Sequence, residues 1–351
     1  MPQLSAFEAV SPALERVTSM LFRPFRWRTW LKIGFIGWLA GGVAAANLNS
    51  FNYRAPSRGQ LPGDWARALS KVIGSVHMGN YLWIIVSAVL FFVVVSLVFL
   101  YLFCRFRFIL FDTVITKQAI IRRGWHQYGS QAGRYFGFWI VYTLLSWVAL
   151  GAIVGVPFWH AYKSGLFHGD NALWSLFAVI GSVVLGVILF AFIAALVRVF
   201  AQDVLLPLMA LDDLGIGDGW SAIWQMVVRE PGAWAGYLGT KLLLSLAAGL
   251  GLSIVLLITG LLLCLILAIP VAVVIFVGIA LIKGAGTAGV VIAIILFVLA
   301  GVACVACLFC LTLVVSAPVV VFFESYSLYF LGGRYPRLGA LLWPATPAPV
   351  S

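Results

Sequence analysis

Long apolar runs, separated by short charged stretches, dominate the chain. Five of them approach the ~20 apolar residues that a helix needs to cross a bilayer: Leu31 to Leu48, Tyr81 to Phe103, Phe136 to Phe158, Leu173 to Val197 and Gly236 to Ile258. A sixth runs from Val290 to Val315. Leu261 to Ile282 is just as long and apolar, but it follows Thr259-Gly260 and is interrupted by Pro270. It reads either as a seventh span or as a re-entrant hairpin. The pattern predicts an all-α fold, a polytopic transmembrane helix bundle of six or seven spans.

Three shorter stretches place apolar residues at spacings of three and four, the rhythm of a one-sided helix. In the N-terminal segment 5–28 the stripe is Phe7, Val10, Leu14, Val17 and Leu21, with Ser11-Pro12 as cap and first helical position. A second, around Trp125 and Tyr128, is diluted by Gly124, Gly129 and Gly133. The third aligns Trp220, Ile223, Trp224, Val227 and Val228, with Asp218 to cap it and Pro231 to stop it. Such helices are expected in the headgroup plane, aromatic face down. Trp125, Trp220 and Trp224 are the candidate lipid-facing anchors.

Composition agrees with this layout. Hydrophobic residues make up 63% of the chain and charged ones 9%, against roughly 25% charged in a soluble domain. The net charge of +11 would elsewhere suggest nucleic acid. Here the basic residues flank apolar runs instead of forming a patch with stacking aromatics, so no nucleic-acid partner is expected. Arg16, Arg23, Arg26, Arg28 and Lys32 lead into the first span, and Arg105, Arg107, Lys117, Arg122, Arg123 and Arg134 lie between the second and third. The opposite side holds Arg54, Arg58, Arg67 and Lys71 in the loop 49–79, which also carries Trp65, and Lys163 in 158–171. The heavier side is predicted to be cytoplasmic, which puts the N-terminus inside a prokaryotic cytoplasmic membrane. Met1 to Phe22 carries Glu8 and Glu15 and has no unbroken apolar core, so the first span is expected to act as an uncleaved anchor.

An internal repeat runs through the middle. Arg107 and Asp112 stand five apart after one span, and Arg198 and Asp203 five apart after another. Trp125, Arg134 and Tyr142 recur as Trp220, Arg229 and Tyr237, each 95 residues on. The two units are 105–197 and 198–315, the second enlarged by 261–282. A C-terminal segment, 316–351, starts a partial third copy, because Pro318…Glu324 echoes Pro207…Asp213. If both unit ends face the cytoplasm, the crossings between them are even in number. That favours a re-entrant 261–282, six spans and both termini inside.

Chemistry is sparse. Cys304, Cys307 and Cys310 form C-x2-C-x2-C in an apolar run without a fourth ligand, and Cys264 and Cys104 also belong to apolar runs. Small packing residues explain them better than a metal site, and no disulfide framework is expected. The four histidines, His77, His126, His160 and His168, are scattered, and no hydrolase or metalloprotease motif is present. Asp212, Asp213 and Asp218 among glycines read as a solvated turn that caps the next helix. No catalytic residue, metal or cofactor is predicted. Lys241, inside an apolar run, is the exception, since a buried lysine seeks headgroups or a partner. Asp203 is the sharpest candidate for that partner. The two Arg-x4-Asp pairs could form a ring that holds anionic lipid or sets helix register. Gly34, Gly37 and Gly41, Gly151 and Gly155, and Gly249 with Gly251 offer close helix approach, within the bundle or between two copies.

Three segments carry a resemblance: Ala6-Phe7 through TSMLFRPFRWRTWLKIGFIGWLAGG, then QDVLLPLMALDDLGIGDGWSAIWQMVVREPGAWAGYLGTKLLLSL, then PVVVFFESYSLYFLGG. They resemble a family of bacterial and archaeal membrane proteins of unknown function. The middle segment is also distantly similar to the membrane domain fused to some glycerophosphodiester phosphodiesterases. The resemblance implies topology and no activity; no histidine here is followed by arginine, so the phosphodiesterase opening His-Arg-Gly is missing.

Two functions follow as expectations. The first is a non-catalytic, lipid-associated scaffold or envelope assembly factor, partnered by membrane lipids and by another protein or a second copy. The alternative is a permease-like carrier of a lipid or small amphiphile. A carrier needs a cavity lined with polar groups; beyond Lys241 the runs provide Thr143, Ser146, Ser182, Ser245, Ser253, Thr259 and Thr312.

Overall fold

The computed structural model describes residues 4–23, 25–41, 78–164, 172–284 and 286–343. The 49–77 part of the predicted outer loop, with Trp65, its four basic residues and His77, lies outside the described residues. So do 42–48, 165–171 with His168, and 344–351.

The elements are α1 (Val10–Leu21), α2 (Trp27–Leu39), α3 (Met78–Thr116), α4 (Ile121–Gln127), α5 (Gly129–Lys163), α6 (Ala172–Phe200), a π-helical turn (Ala201–Leu205), α7 (Leu206–Asp212), α8 (Ile216–Arg229), α9 (Pro231–Gly284), α10 (Gly286–Gly332) and α11 (Pro336–Leu342). Five stretches are long and apolar enough to cross a membrane: Trp83–Thr116, Gly129–Lys163, Leu176–Asp212, Pro231–Gly284 and Gly286–Gly332. Of the predicted first span only 31–41 is described, most of it in α2.

One end of the molecule is a packed base. It joins α1, α4, α7, α8 and α11 to the ends of α3 and α10, the start of α5 and the start of α9 around one large apolar core, with a smaller cluster between α1, α2 and α10. The first and last described segments meet there. Arg334 donates to the Leu4 carbonyl at 3.2 Å and to the Phe330 carbonyl at 3.0 Å, and pairs with Glu230 at 3.0 Å. From this base the long helices project with apolar side chains outward, such as Phe92, Trp147, Leu185, Leu257 and Val302.

Several expectations change at this level. Leu261 to Ile282 is neither a separate span nor a re-entrant hairpin, because α9 runs unbroken from Pro231 to Gly284 and returns as α10. The Thr259 hydroxyl donates to the Val255 carbonyl at 2.6 Å, and helices in apolar surroundings tolerate an internal proline. The inward face of this segment is Ala6 and Ala9 in the turn before α1 and Ala13, Val17 and Leu21 within it, while Phe7 and Leu14 point outward. The alanines let its first half lie close to the core, and Val17, Met20 and Leu21 pack its second half. The chain enters this segment through Ser5 and not Ser11. The Ser5 amide donates to Glu8 at 2.7 Å and the Glu8 amide to the Ser5 hydroxyl at 3.3 Å, a reciprocal capping box.

The third amphipathic helix, α8, starts after Gly215 without a side-chain cap, so Asp218 lies in its first turn instead of capping it. Its stripe divides. Ile223 is buried and Trp220 packs 6.1 Å from Phe138, whereas Trp224 and Val228 are exposed. Trp125 in α4 is half-buried beneath Arg105, which donates to its carbonyl at 2.9 Å and lies 5.0 Å over its ring. Asp212 and Asp213 hold Arg337 and Arg134, tying α7 to α11 and α5.

Helix approach is uneven. A methyl group on Gly34 would strike the Leu313 carbonyl, and one on Gly37 would press on Val320, so α2 packs tightly on α10. Gly151, Gly155, Gly249 and Gly251 meet nothing within 4 Å. Cys264, Cys307 and Cys310 are exposed on the projecting helices, so they do not pack against a neighbouring helix as expected. Among the described residues no His, Cys, Asp or Glu side chains converge in threes as metal ligands.

Candidate functional site: an ionic cavity at the foot of the long helices

The apolar run of α3 ends at Arg105 and Arg107. Two residues apart on a helix, they face nearly opposite ways. Arg105 turns onto α4. Arg107 is buried and turns inward, bonding the Gln202 amide oxygen and pairing with Glu324 at 3.2 Å.

Gln202 and Asp203 belong to the π-helical turn. Its cause is local. Pro207 lacks an amide hydrogen, and its ring would crowd the carbonyl four residues back, which is that of Asp203. The helix widens there, and the Leu206 amide bonds Ala201, five residues away. Such one-turn widenings commonly place side chains at functional sites.

From α9, Tyr237 and Lys241 stand one turn apart and both reach Asp203. The Tyr237 hydroxyl donates to Asp203 Oδ2 at 2.8 Å, and Lys241 Nζ pairs with the same oxygen. Beneath them the Tyr237 ring stacks on Tyr326 at 5.4 Å and Phe330 at 4.4 Å. Glu324 is the single charged residue of α10 and is buried.

Two cations and two carboxylates thus form a balanced quartet from four separate elements. They wall one end of a cavity of about 490 Å³. Its remaining lining is mostly apolar or small: Leu246, Ala248, Gly249 and Leu250 of α9, Val319, Val320 and Phe323 of α10, Leu110 of α3, and Gly41 beyond α2. Ser245 and Ser253 also line it, but their hydroxyls donate to their own helix at 2.7 and 2.8 Å. Ser245, Gly249 and Ser253 recur every four residues, so one narrow face of α9 opens into the space. Gly41 has φ +73°, a left-handed conformation that suits glycine.

The structure brings together Lys241, Asp203 and Arg107 of the sequence candidates. It separates the others. Arg107 does not meet Asp112, and Arg198 does not meet Asp203, because residues five apart on a helix point about 140° away from each other. Asp112 is buried beside Tyr128 and Arg123; burial and that carboxylate push the Tyr128 hydroxyl up to about 12. Arg198 is exposed on α6. Trp125, Trp220 and Trp224 do not line the cavity.

Sequence reasoning missed Glu324, Gln202 and Tyr237 as members of the site. Glu324 had a signal, as the lone charge in a 47-residue apolar helix.

Residues 4–341 match the family of unknown function DUF7544, so the chain belongs to that family. No curated protein and no solved structure matches the chain.

Proposed function

We propose that this member of the family is a non-catalytic membrane carrier that holds an amphiphile in the ionic cavity. The observation behind this reading is the cavity itself. Its volume of about 490 Å³ falls within the roughly 300–1,000 Å³ of small-molecule sites. One end is polar and the rest apolar, matching a headgroup joined to a chain. The scaffold expectation requires no such cavity and ranks second.

The ligand class follows from charge. Arg107 and Lys241 are already matched by Glu324 and Asp203. A ligand with net charge would leave one charge uncompensated in a poorly solvated site, which is costly. An uncharged or zwitterionic headgroup can exchange bonds with the quartet and leave the balance intact.

The topology in this proposal has six spans, the first starting in α2, with the base and both chain ends on the cytoplasmic side of a prokaryotic inner membrane. Continuous α9 and α10 supply the even number of crossings without a re-entrant segment. The repeat draws support from packing as well as spacing. Gly124 of α4 sits against Ile109 of α3, and Gly219 of α8, 95 residues on, sits against Leu205 after α6. The exposed Trp224 and Val228 of α8 and Phe7 and Leu14 of α1 are its lipid-dipping residues. The distant likeness to the phosphodiesterase membrane domain enters as kinship of topology alone.

The test is lipid mass spectrometry on gently extracted protein, comparing wild type with Gly249→Phe. A Cβ at Gly249 meets nothing within 4 Å, and Gly249 lines the cavity, so a larger side chain is carried toward that space. The wild type is expected to retain an uncharged or zwitterionic amphiphile near one per chain, and the folded variant to lose it. A stoichiometric protein partner with no amphiphile in either sample would return the scaffold to first place.

A further inference from the structure

The turn between α1 and α2 takes no part in the cavity. Together with the first two residues of α2 it presents Phe22, Arg23, Phe25, Arg26, Trp27 and Arg28 outward, all exposed. The turn is held in shape from below. The buried Trp30 indole donates to the Leu21 carbonyl at 2.8 Å. Its ring meets Phe22 edge-on at 5.1 Å and Phe25 at 5.4 Å, and Phe22 and Phe25 form an isolated antiparallel bridge. Phe22 and Phe25 are therefore held by Trp30, and Trp27 and three arginines alternate with them along the chain on the exposed side.

The level of this surface can be read from α10. Trp30 packs in one cluster with Val314, Ala317 and Val321. Val314 lies ten residues above Glu324, roughly 15 Å along the helix axis. The outward apolar belt of α10 starts a little further on, at Phe309, Leu308 and Val305. The turn thus sits at the border of the apolar belt, where headgroups lie. Among the described residues, Arg23, Arg26 and Arg28 make no ion pair.

We infer that this turn is a binding surface for the phosphates of anionic lipid headgroups, distinct from the cavity. Aromatic rings seat at the headgroup level and arginines bond phosphate oxygens in a fork. The excess of positive charge selects anionic lipid, whereas the balanced quartet in the cavity does not. The two sites therefore differ in the lipid they take.

The experiment uses the full chain in neutral detergent, exposed to equal amounts of phosphatidylglycerol and phosphatidylcholine and read by native mass spectrometry. Arg23→Gln/Arg26→Gln/Arg28→Gln is compared with the matching triple lysine variant and the wild type. The wild type should retain phosphatidylglycerol preferentially. Each arginine neutralised should reduce that preference roughly fivefold, as expected for a charge at an anionic surface. The lysine variant should keep most of it, which separates charge from misfolding. Equal preference in the glutamine variant and wild type would overturn the inference. So would displacement of phosphatidylglycerol by inorganic phosphate in modest excess, which would make the site a reader of free phosphate.

Discussion

The base and the projecting helices are built from the same residue types but resolve them in opposite ways. Trp139 is 5% exposed and Trp147, eight residues along the same helix, is 71% exposed, a change over about 12 Å. On α3 the same reversal separates the buried Phe108 from the exposed Phe99, and on α9 it separates Tyr237 from Leu246. In the base, protein replaces water around apolar groups, so buried charges are paired, as Arg107 is with Glu324 and Lys241 with Asp203. Beyond it the apolar groups await lipid and the backbone satisfies itself within each helix. The same reversal recurs on all three helices, as it should where a protein core gives way to apolar surface.

Substitutions can break this contrast, the severest first. Gly34→Leu should fail to give a monodisperse folded protein in size-exclusion chromatography, because the Leu313 carbonyl lies where its side chain must go; overpacking of this kind costs about 3 kcal/mol or more. Arg107→Met should lower stability by about 3–5 kcal/mol, since it strands Glu324 unpaired. Pairing it with Glu324→Leu should recover most of the loss, and thermal unfolding of single and double variants checks both. A matched pair of tryptophans tests the border itself. Trp139→Ala should cost about 3–5 kcal/mol in thermal unfolding, and Trp147→Ala less than about 1 kcal/mol in detergent.

The smallest effect concerns the base's outer surface. Trp224→Phe should reduce quenching of tryptophan fluorescence by brominated lipid slightly, and Trp220→Phe should leave it unchanged, because Trp220 rests on Phe138. The opposite order would show that α8 meets lipid by its other face.

The runs that form long helices were legible because twenty apolar residues in a row have few alternatives. Their ends were less so. Thr259-Gly260 and Pro270 read as interruptions, yet α9 passes through them, because no water competes for the freed backbone groups along an apolar helix. The faces of the short helices were misjudged where small residues form the tighter contact, as Ala9 just before α1 and Ala13 within it do. The Lys241–Asp203 pair was legible because a lysine in an apolar run demands a carboxylate. The ring expected of the two Arg-x4-Asp pairs does not form as a unit, because a helix projects residues five apart in different directions and only Arg107 and Asp203 reach the cavity. Gln202 and Glu324 join the site through the π-helical turn before Pro207 and through the return of α10; each had a local signal, but which elements they meet is set by the packing of distant helices.

The length of α9 has a mechanical consequence. From Leu242 to Gly284 the helix climbs roughly 64 Å, about twice the hydrocarbon thickness of a bilayer. Upright, half of its apolar length would stand in water, so the α9–α10 pair must lean or draw the surrounding lipid thicker. The pair is a lever whose short arm carries Lys241 and Glu324. Lys241 and Glu324 stand at the foot of that pair, so any change in its tilt would be felt first at the ionic quartet.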